Sequence, residues 1–116
     1  MNQMTKLERA VIDKLADVRN PYIPNLRQHI PHIQVLDRAM TGAGFYTDMM
    51  SSLGPMSAQE GKVEGVSAKS PNDTSLMSFI LWVDQDGTCA LEGFTYADDW
   101  PADSEDYTVF LEQRPQ

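Results

Sequence analysis

The side chains able to do chemistry in this chain are few: two histidines, one cysteine and a set of carboxylates crowded toward one end. His29 and His32 stand in an H-x-x-H spacing, which on a single helix would converge two imidazoles on a metal ion. Pro31 lies between them and ends the helical pattern, and no cysteine is near enough to complete a ligand set. The pair therefore reads as surface or capping histidines, and no metal or other cofactor is expected. Cys89 falls in an apolar run beside Trp82 and Leu91, with no basic neighbour to hold a thiolate. That is the setting of a small buried hydrophobe, not of a nucleophile. Asp84-x-Asp86-Gly87 opens like a calcium loop, but its twelfth position is Thr95, where a bidentate glutamate belongs. A hairpin turn accounts for the segment.

Two acidic features remain. Glu92 is expected to share a sheet face with Phe79, Leu81 and Phe94, where desolvation would make it a candidate acid or base. Tyr46, Tyr96 and Asp48 are the polar groups that could join it in a pocket. The alternative puts Glu92 near the end of its face or pairs it with a base such as Arg38. The stretch 97–106 carries Asp98, Asp99, Asp103, Glu105 and Asp106, with Trp100 inside it and Tyr96 and Tyr107 at its flanks. Runs of acids are commonly solvated loops, and Trp100 also suits a core position closing the sheet. Aromatics anchor interfaces, however, and carboxylates around them steer a basic partner. These eight residues form the candidate partner-binding site.

The elements that must position these groups follow from periodicity. Met4, Leu7, Val11, Leu15 and Val18 recur at three- and four-residue spacing, which predicts a helix over 5–18. Thr5 and Glu8 form a capping box at its start, and Asn20-Pro21 stops it. Pro24 opens a second short helix ending at Ile30. Beyond Pro31 the spacing becomes β-like. Strands are predicted at 33–40 and 45–50 around the turn Thr41-Gly42-Ala43-Gly44, and at 62–69 as an edge strand guarded by lysines. The strongest pair is 76–83 and 88–96, the first apolar on both faces like a central strand covered on both sides. A two- or four-residue loop at 84–87 puts Ile80, Trp82, Cys89 and Leu91 on one face, and Phe79, Leu81, Ala90 and Glu92 on the other. A last strand is predicted at 108–111. The expected fold is a single α+β domain, 1–116, with an N-terminal helix and a second short one packed on an antiparallel sheet of about five strands.

Composition narrows the function classes. With 116 residues and 41% hydrophobic content the chain builds one core without disulfide or metal staples. Residues 1–83 hold eight acids and eight bases, whereas residues 84–116 hold nine acids and Arg114 alone, so the whole net charge of −8 lies in the final third. Direct binding to nucleic acid or to an anionic membrane needs clustered cations and is excluded on that balance. No stretch approaches the roughly 20 apolar residues of a membrane span, no signal peptide pattern opens the chain, and the unpaired cysteine fits a reducing compartment. The cytoplasm is the expected location.

Thr41-Gly42-Ala43-Gly44-Phe45-Tyr46-Thr47-Asp48 and Leu91-Glu92-Gly93-Phe94-Thr95-Tyr96, the latter followed by Ala97-Asp98-Asp99-Trp100-Pro101, carry a family resemblance. The chain resembles a group of small bacterial proteins with a G-x-G-F-[FY]-T segment and a later L-E-G-[FY]-T-Y segment followed by an acidic W-P. The resemblance implies a shared small α+β fold, with Glu92 and residues 94–96 in corresponding places, and brings no reaction with it. The Gly-x-Gly is no phosphate loop, since no Lys-Ser/Thr follows it.

The leading expectation is a non-enzymatic binding or inhibitor protein whose acidic third occludes a basic surface of a partner protein, such as a nucleic-acid-binding groove. Toxin-immunity proteins and phage inhibitors of defence nucleases, anti-CRISPR proteins among them, are of this type. The alternatives are a small enzyme or ligand-binding domain with a pocket around Glu92, Tyr46 and Tyr96, and a homodimeric scaffold joined through edge strands or Trp100.

Overall fold

A computed structural model describes residues 3–57, 59–70, 73–95 and 107–112. Helix α1 (Lys6–Leu15) starts where the capping box places it. The Thr5 N–H donates to Glu8 Oε1 at 2.7 Å and the Glu8 N–H donates to Thr5 Oγ1 at 3.1 Å. It ends short of the predicted boundary, and Asn20 then organises the exit, its Oδ1 accepting from the N–H groups of Tyr22 and Ile23. The second helix is shorter than expected. Helix α2 (Leu26–His29) gives way to a 3-10 turn, α3 (Ile30–His32), because Pro31 has no N–H to continue the ladder.

Six strands follow: β1 (Ile33–Met40), β2 (Gly44–Ser51), β3 (Gly61–Ser70), β4 (Asp73–Val83), β5 (Cys89–Thr95) and β6 (Thr108–Leu111). They form one antiparallel sheet in the order β1-β2-β5-β4-β3-β6. The fold is α+β, with six strands where about five were expected. β3 is not an edge strand, because β6 pairs along its outer side and β1 and β6 become the edges.

The helices cover one face of the sheet. Val11, Ile12 and Leu15 of α1, with Ile23, Leu26 and Ile30, bury against Phe45, Met49, Val63, Met77, Phe79, Leu81 and Leu91. Each fully buried aliphatic or aromatic side chain contributes roughly 1.5–3 kcal/mol of transfer free energy, so this face holds the domain together. β4 lies mid-sheet as expected, but it is not covered on both sides. Met77, Phe79, Leu81 and Val83 are buried, whereas Leu76 and Trp82 are 47% and 41% exposed. Among the described residues no second layer stacks on that other face. No helix among them is long and apolar enough to cross a membrane.

The β4–β5 hairpin corrects the predicted facing of β5. Val83 pairs with Cys89, Leu81 with Leu91 and Ile80 with Glu92, one residue out of the expected register. Gly87, at φ +88°, follows a turn closed by its N–H to the Asp84 carbonyl, and the Asp84 N–H then bonds the Thr88 carbonyl. A left-handed residue after the turn adds one residue to the loop, which moves every following side chain to the opposite face. Cys89 and Leu91 therefore face the core, and Ala90 and Glu92 face outward.

Candidate functional site

The groups that converge do so on the open face of the sheet. Tyr46 on β2 and Glu92 on β5 are direct cross-strand partners, and Glu92 pairs in turn with Ile80 on β4. The indole Nε1–H of Trp82 donates to Glu92 Oε1 at 3.0 Å. The Glu92 carboxylate beside Tyr46, with some desolvation, holds the phenol above its ordinary pKa. One carboxylate thus lies between two aromatics and accepts from one of them. The arrangement is a platform and not a pocket, since Tyr46 is 42% exposed.

Glu92 accordingly does not share a face with Phe79 and Leu81, and it does not pair with Arg38. The extra hairpin residue accounts for the first correction, and Glu8 for the second. Glu8 is buried and its Oε1 and Oε2 accept from Arg38 Nη2 at 2.6 Å and Nε at 2.9 Å, while Thr47 Oγ1 also donates to Oε2. Burial pushes the Glu8 carboxyl up, but the bonds from Arg38, Thr47 and the Thr5 N–H, with the charge of Arg38, outweigh it and leave the pKa lowered. The capping box signalled half of this role. The other half comes from β1 and β2, where Arg38 and Thr47 are cross-strand partners facing the helix.

The register adds a row of side chains that sequence reasoning did not assemble. Asp37, Asp48, Ala90, Trp82 and Lys62 lie side by side across β1, β2, β5, β4 and β3 on the open face. Asp37 and Asp48 are directly opposed like charges, and among the described residues neither has an ion-pair partner. Lys62 sits over the Trp82 ring, 5.8 Å from its centroid, and 3.9 Å from Glu64. The signal available in the sequence was the polar alternation of Lys62 and Glu64 in one strand and Trp82 near the end of the apolar run 76–83.

The remaining candidates have structural employment. Burial, then the charges of Asp84 and Asp86, push the Cys89 thiol up to about 12, so no thiolate forms near neutrality. His29 Nδ1 lies 2.7 Å from Oγ of buried Ser51, and burial, then His32, lowers its pKa. Asp86 accepts from both the N–H and the hydroxyl of Thr88, completing the hairpin turn. Among the described residues no three His, Cys, Asp or Glu side chains converge as a metal set. A cavity of about 510 Å³ opens between the segment after α1 and strands β3 and β6, lined by Arg19, Tyr22, Val63 and Leu111 among others. It includes none of Glu92, Tyr46 and Asp48.

Of the predicted partner-binding residues, Tyr96, Asp98, Asp99, Trp100, Asp103, Glu105 and Asp106 lie outside the described residues. Tyr107 is described, half-buried and packed against the core just before β6. At the other end of the segment, Thr95 is buried, its N–H bonded to the Ala43 carbonyl and its hydroxyl to the Leu76 carbonyl.

The two motifs that carry the family resemblance are adjacent strands, β2 and β5, paired from Gly44–Phe94 to Tyr46–Glu92 and beyond. Gly93 is fitted under two rings: a Cβ there would stand 2.5 Å from Phe45 Cε1 and 3.0 Å from Phe79 Cε1. Comparison of the chain with protein-family models, with curated proteins and with solved structures returns no match.

Proposed function

We propose that this protein is a non-enzymatic binding protein that takes a basic surface of a partner protein through the acidic residues of its final third. The observation that carries this reading is the charge partition: a neutral body over residues 1–83 and a net −8 over residues 84–116. The fold supports it by the way the acid-rich segment is tethered. Both residues that flank it are held: Thr95 is buried at the end of β5, and Tyr107 packs on the core just before β6. Holding both ends reduces the ordering entropy that binding must overcome. Clustered carboxylates steer a cationic surface and compete with phosphates for it. A nucleic-acid-binding groove of the toxin or nuclease type is the kind of basic surface that fits.

The enzyme reading has less to stand on. It needs Glu92, Tyr46 and a third polar group to converge in a concave site. Glu92 and Tyr46 meet, but on an open sheet face.

The test is capture of the partner from the native host at physiological salt, with Asp98, Asp99, Asp103 and Asp106 changed to Asn in the comparison chain. Loss of capture in that variant, and loss for the parent protein as salt is raised, is the expected result. Undiminished capture by the variant overturns the reading.

A further inference from the structure

The charge of this molecule is divided across its thickness. The helical layer, residues 3–32 together with Arg38, carries six bases against three acids, a balance of +3. On the open face of the sheet the described side chains reverse that sign: Asp37, Asp48, Glu64, Glu92 and Glu112 stand against Lys62 and Lys69, a balance of −3. Both lysines lie over rings, Lys62 over Trp82 and Lys69 6.0 Å from the Phe110 centroid, and Lys62 is also 3.9 Å from Glu64. With the shortest extent of the chain only 20 Å, this separation of charge turns the open face toward a cationic partner and disfavours a second open face.

The apolar part of the face is a stripe of definite length. Leu76, Ile80 and Trp82 follow one another along the open side of β4, with Ser78 between the first two and Phe94 of β5 beside that serine. Six residue steps of about 3.4 Å make the stripe roughly 20 Å long, the length of about 14 residues of α-helix at about 1.5 Å each. Ile80, near its middle, has Glu92 on one side and Glu64 on the other as direct cross-strand partners. Two strand spacings of about 4.8 Å set those glutamates roughly 10 Å apart, which is the width of one helix. The next pair along, Ser78 and Ser67, brings in Glu112, whose Oε1 accepts from the Ser67 hydroxyl. Leu76 and Trp82, 47% and 41% exposed, leave both ends of the stripe open.

We propose that an amphipathic, cationic α-helix of a partner protein docks along β4, its apolar stripe over Trp82, Ile80 and Leu76 and its arginines or lysines against Glu64 and Glu92. The proposal rests on the basic-partner reading above and gives that partner a shape. A helix laid on a sheet is one of the few stable layer packings, and cations on its two flanks meet a carboxylate on either side of Ile80. A second copy of the chain offers no such surface. Its open face has the same negative sign, and none of the large apolar side chains exposed in the described structure falls in residues 3–32, so its helical layer has nothing to lay on the stripe.

The experiment follows the amide and indole chemical shifts of the isotope-labelled chain as a synthetic helix of about 14 residues is added, a leucine stripe between two rows of arginine. A second titration uses the same peptide with glutamate for arginine. At about 50 mM salt the arginine peptide is expected to move the Trp82 indole and the amides around Glu64, Ile80 and Glu92, and the glutamate peptide to move nothing. Trp82→Ala is expected to weaken binding by about tenfold or more and Glu64→Gln by about threefold to tenfold, the spread of strand amides in the same spectra showing that each variant is folded. Shifts confined to residues 96–107 overturn this inference and leave the basic-partner reading intact. No shift with the arginine peptide also overturns this inference alone, since that reading falls by its own test, undiminished capture by the four-asparagine variant. Equal binding of the two peptides overturns the charge argument and with it the proposal. Movement of the same strand amides on dilution of the protein alone makes a second copy the occupant, and a nuclear Overhauser contact from residues 96–106 to the Trp82 ring makes it the chain's own segment; either result overturns the inference.

Discussion

Two glutamates hold the two faces of this sheet, and they do so under opposite conditions. Glu8 reaches the covered face from α1 and gathers Arg38, Thr47 and a backbone N–H around a carboxylate removed from water. Glu92 stands on the open face and gathers Trp82 and Tyr46 around a carboxylate that water can still reach. The donor sets are similar in size, yet what they contribute differs. A buried charge without its partners is far costlier than an exposed one, so Glu8 is a fastening of the fold. The exposed cluster forfeits little when broken, because water replaces the lost bonds. Its contribution is to fix the orientation of two aromatics on a surface.

The largest break in this comparison is Glu8→Ala. It strands the Arg38 guanidinium and the Thr47 hydroxyl and removes the reciprocal cap of α1, and it is expected to cost about 3 kcal/mol or more in denaturant unfolding. That is a large share of the 5–15 kcal/mol typical of a domain. The pH dependence has a fixed sign. The Glu8 carboxyl titrates below its ordinary 4.5 in the folded chain, so the unfolded chain takes the proton first as pH falls. Its stabilisation is full above about pH 4.5 and is lost as pH drops through the lowered folded value. In Glu8→Gln this acid dependence should be shallower between pH 5 and pH 3; an unchanged slope would show that Glu8 is not the group responsible.

Packing sharpens the contrast between the faces. A methyl group added at Gly93 on the covered face meets the Phe45 and Phe79 rings, whose centroids are 6.4 Å apart. Gly93→Ala is expected to cost about 1–3 kcal/mol through displaced rings. Ala90→Ser, three residues earlier on the open face, adds one atom toward solvent and should fall within about 0.5 kcal/mol. Equal melting of the two variants would mean that the faces are not packed as differently as their burial implies.

The covered face was the more legible one in the sequence. The spacing of Val11 and Leu15, the Thr5–Glu8 box and the apolar run at 76–83 each encode a local preference that tertiary packing then uses. β1 and β6 occupy the predicted residues. The open face was misread at one point, and the reason is local. A single left-handed glycine, Gly87, adds a residue to the hairpin, and a period of two converts that into a complete exchange of faces along β5. Asp86-Gly87 admits two-, three- and four-residue loops, so short-range chemistry did not choose among them. The pairing of β6 with β3, and hence which strand is an edge, depends on contacts about forty residues apart. Arg38 meeting Glu8 is equally non-local: it needs β1 laid under α1, which no spacing within either element encodes.

Glu92→Ala gives the smallest expected effect on stability and the most specific effect on the surface. Losing partly exposed hydrogen bonds costs less than about 1 kcal/mol, so the melting curve should barely move. The aromatics should report the change directly. Glu92 is the chief cause of the raised Tyr46 pKa, so removing the carboxylate returns that phenol toward its ordinary 10. In a spectrophotometric titration the variant should lose one late-titrating tyrosine relative to the parent chain, and Tyr46→Phe should abolish the difference. Trp82, released from its acceptor, gains rotamer freedom that near-ultraviolet circular dichroism detects as a weaker tryptophan band. If the variant instead melts as Glu8→Ala does, the open-face cluster is a fastening too, and the division of labour between the two glutamates fails. If stability, titration and dichroism are all unchanged, Glu92 does not orient the two rings.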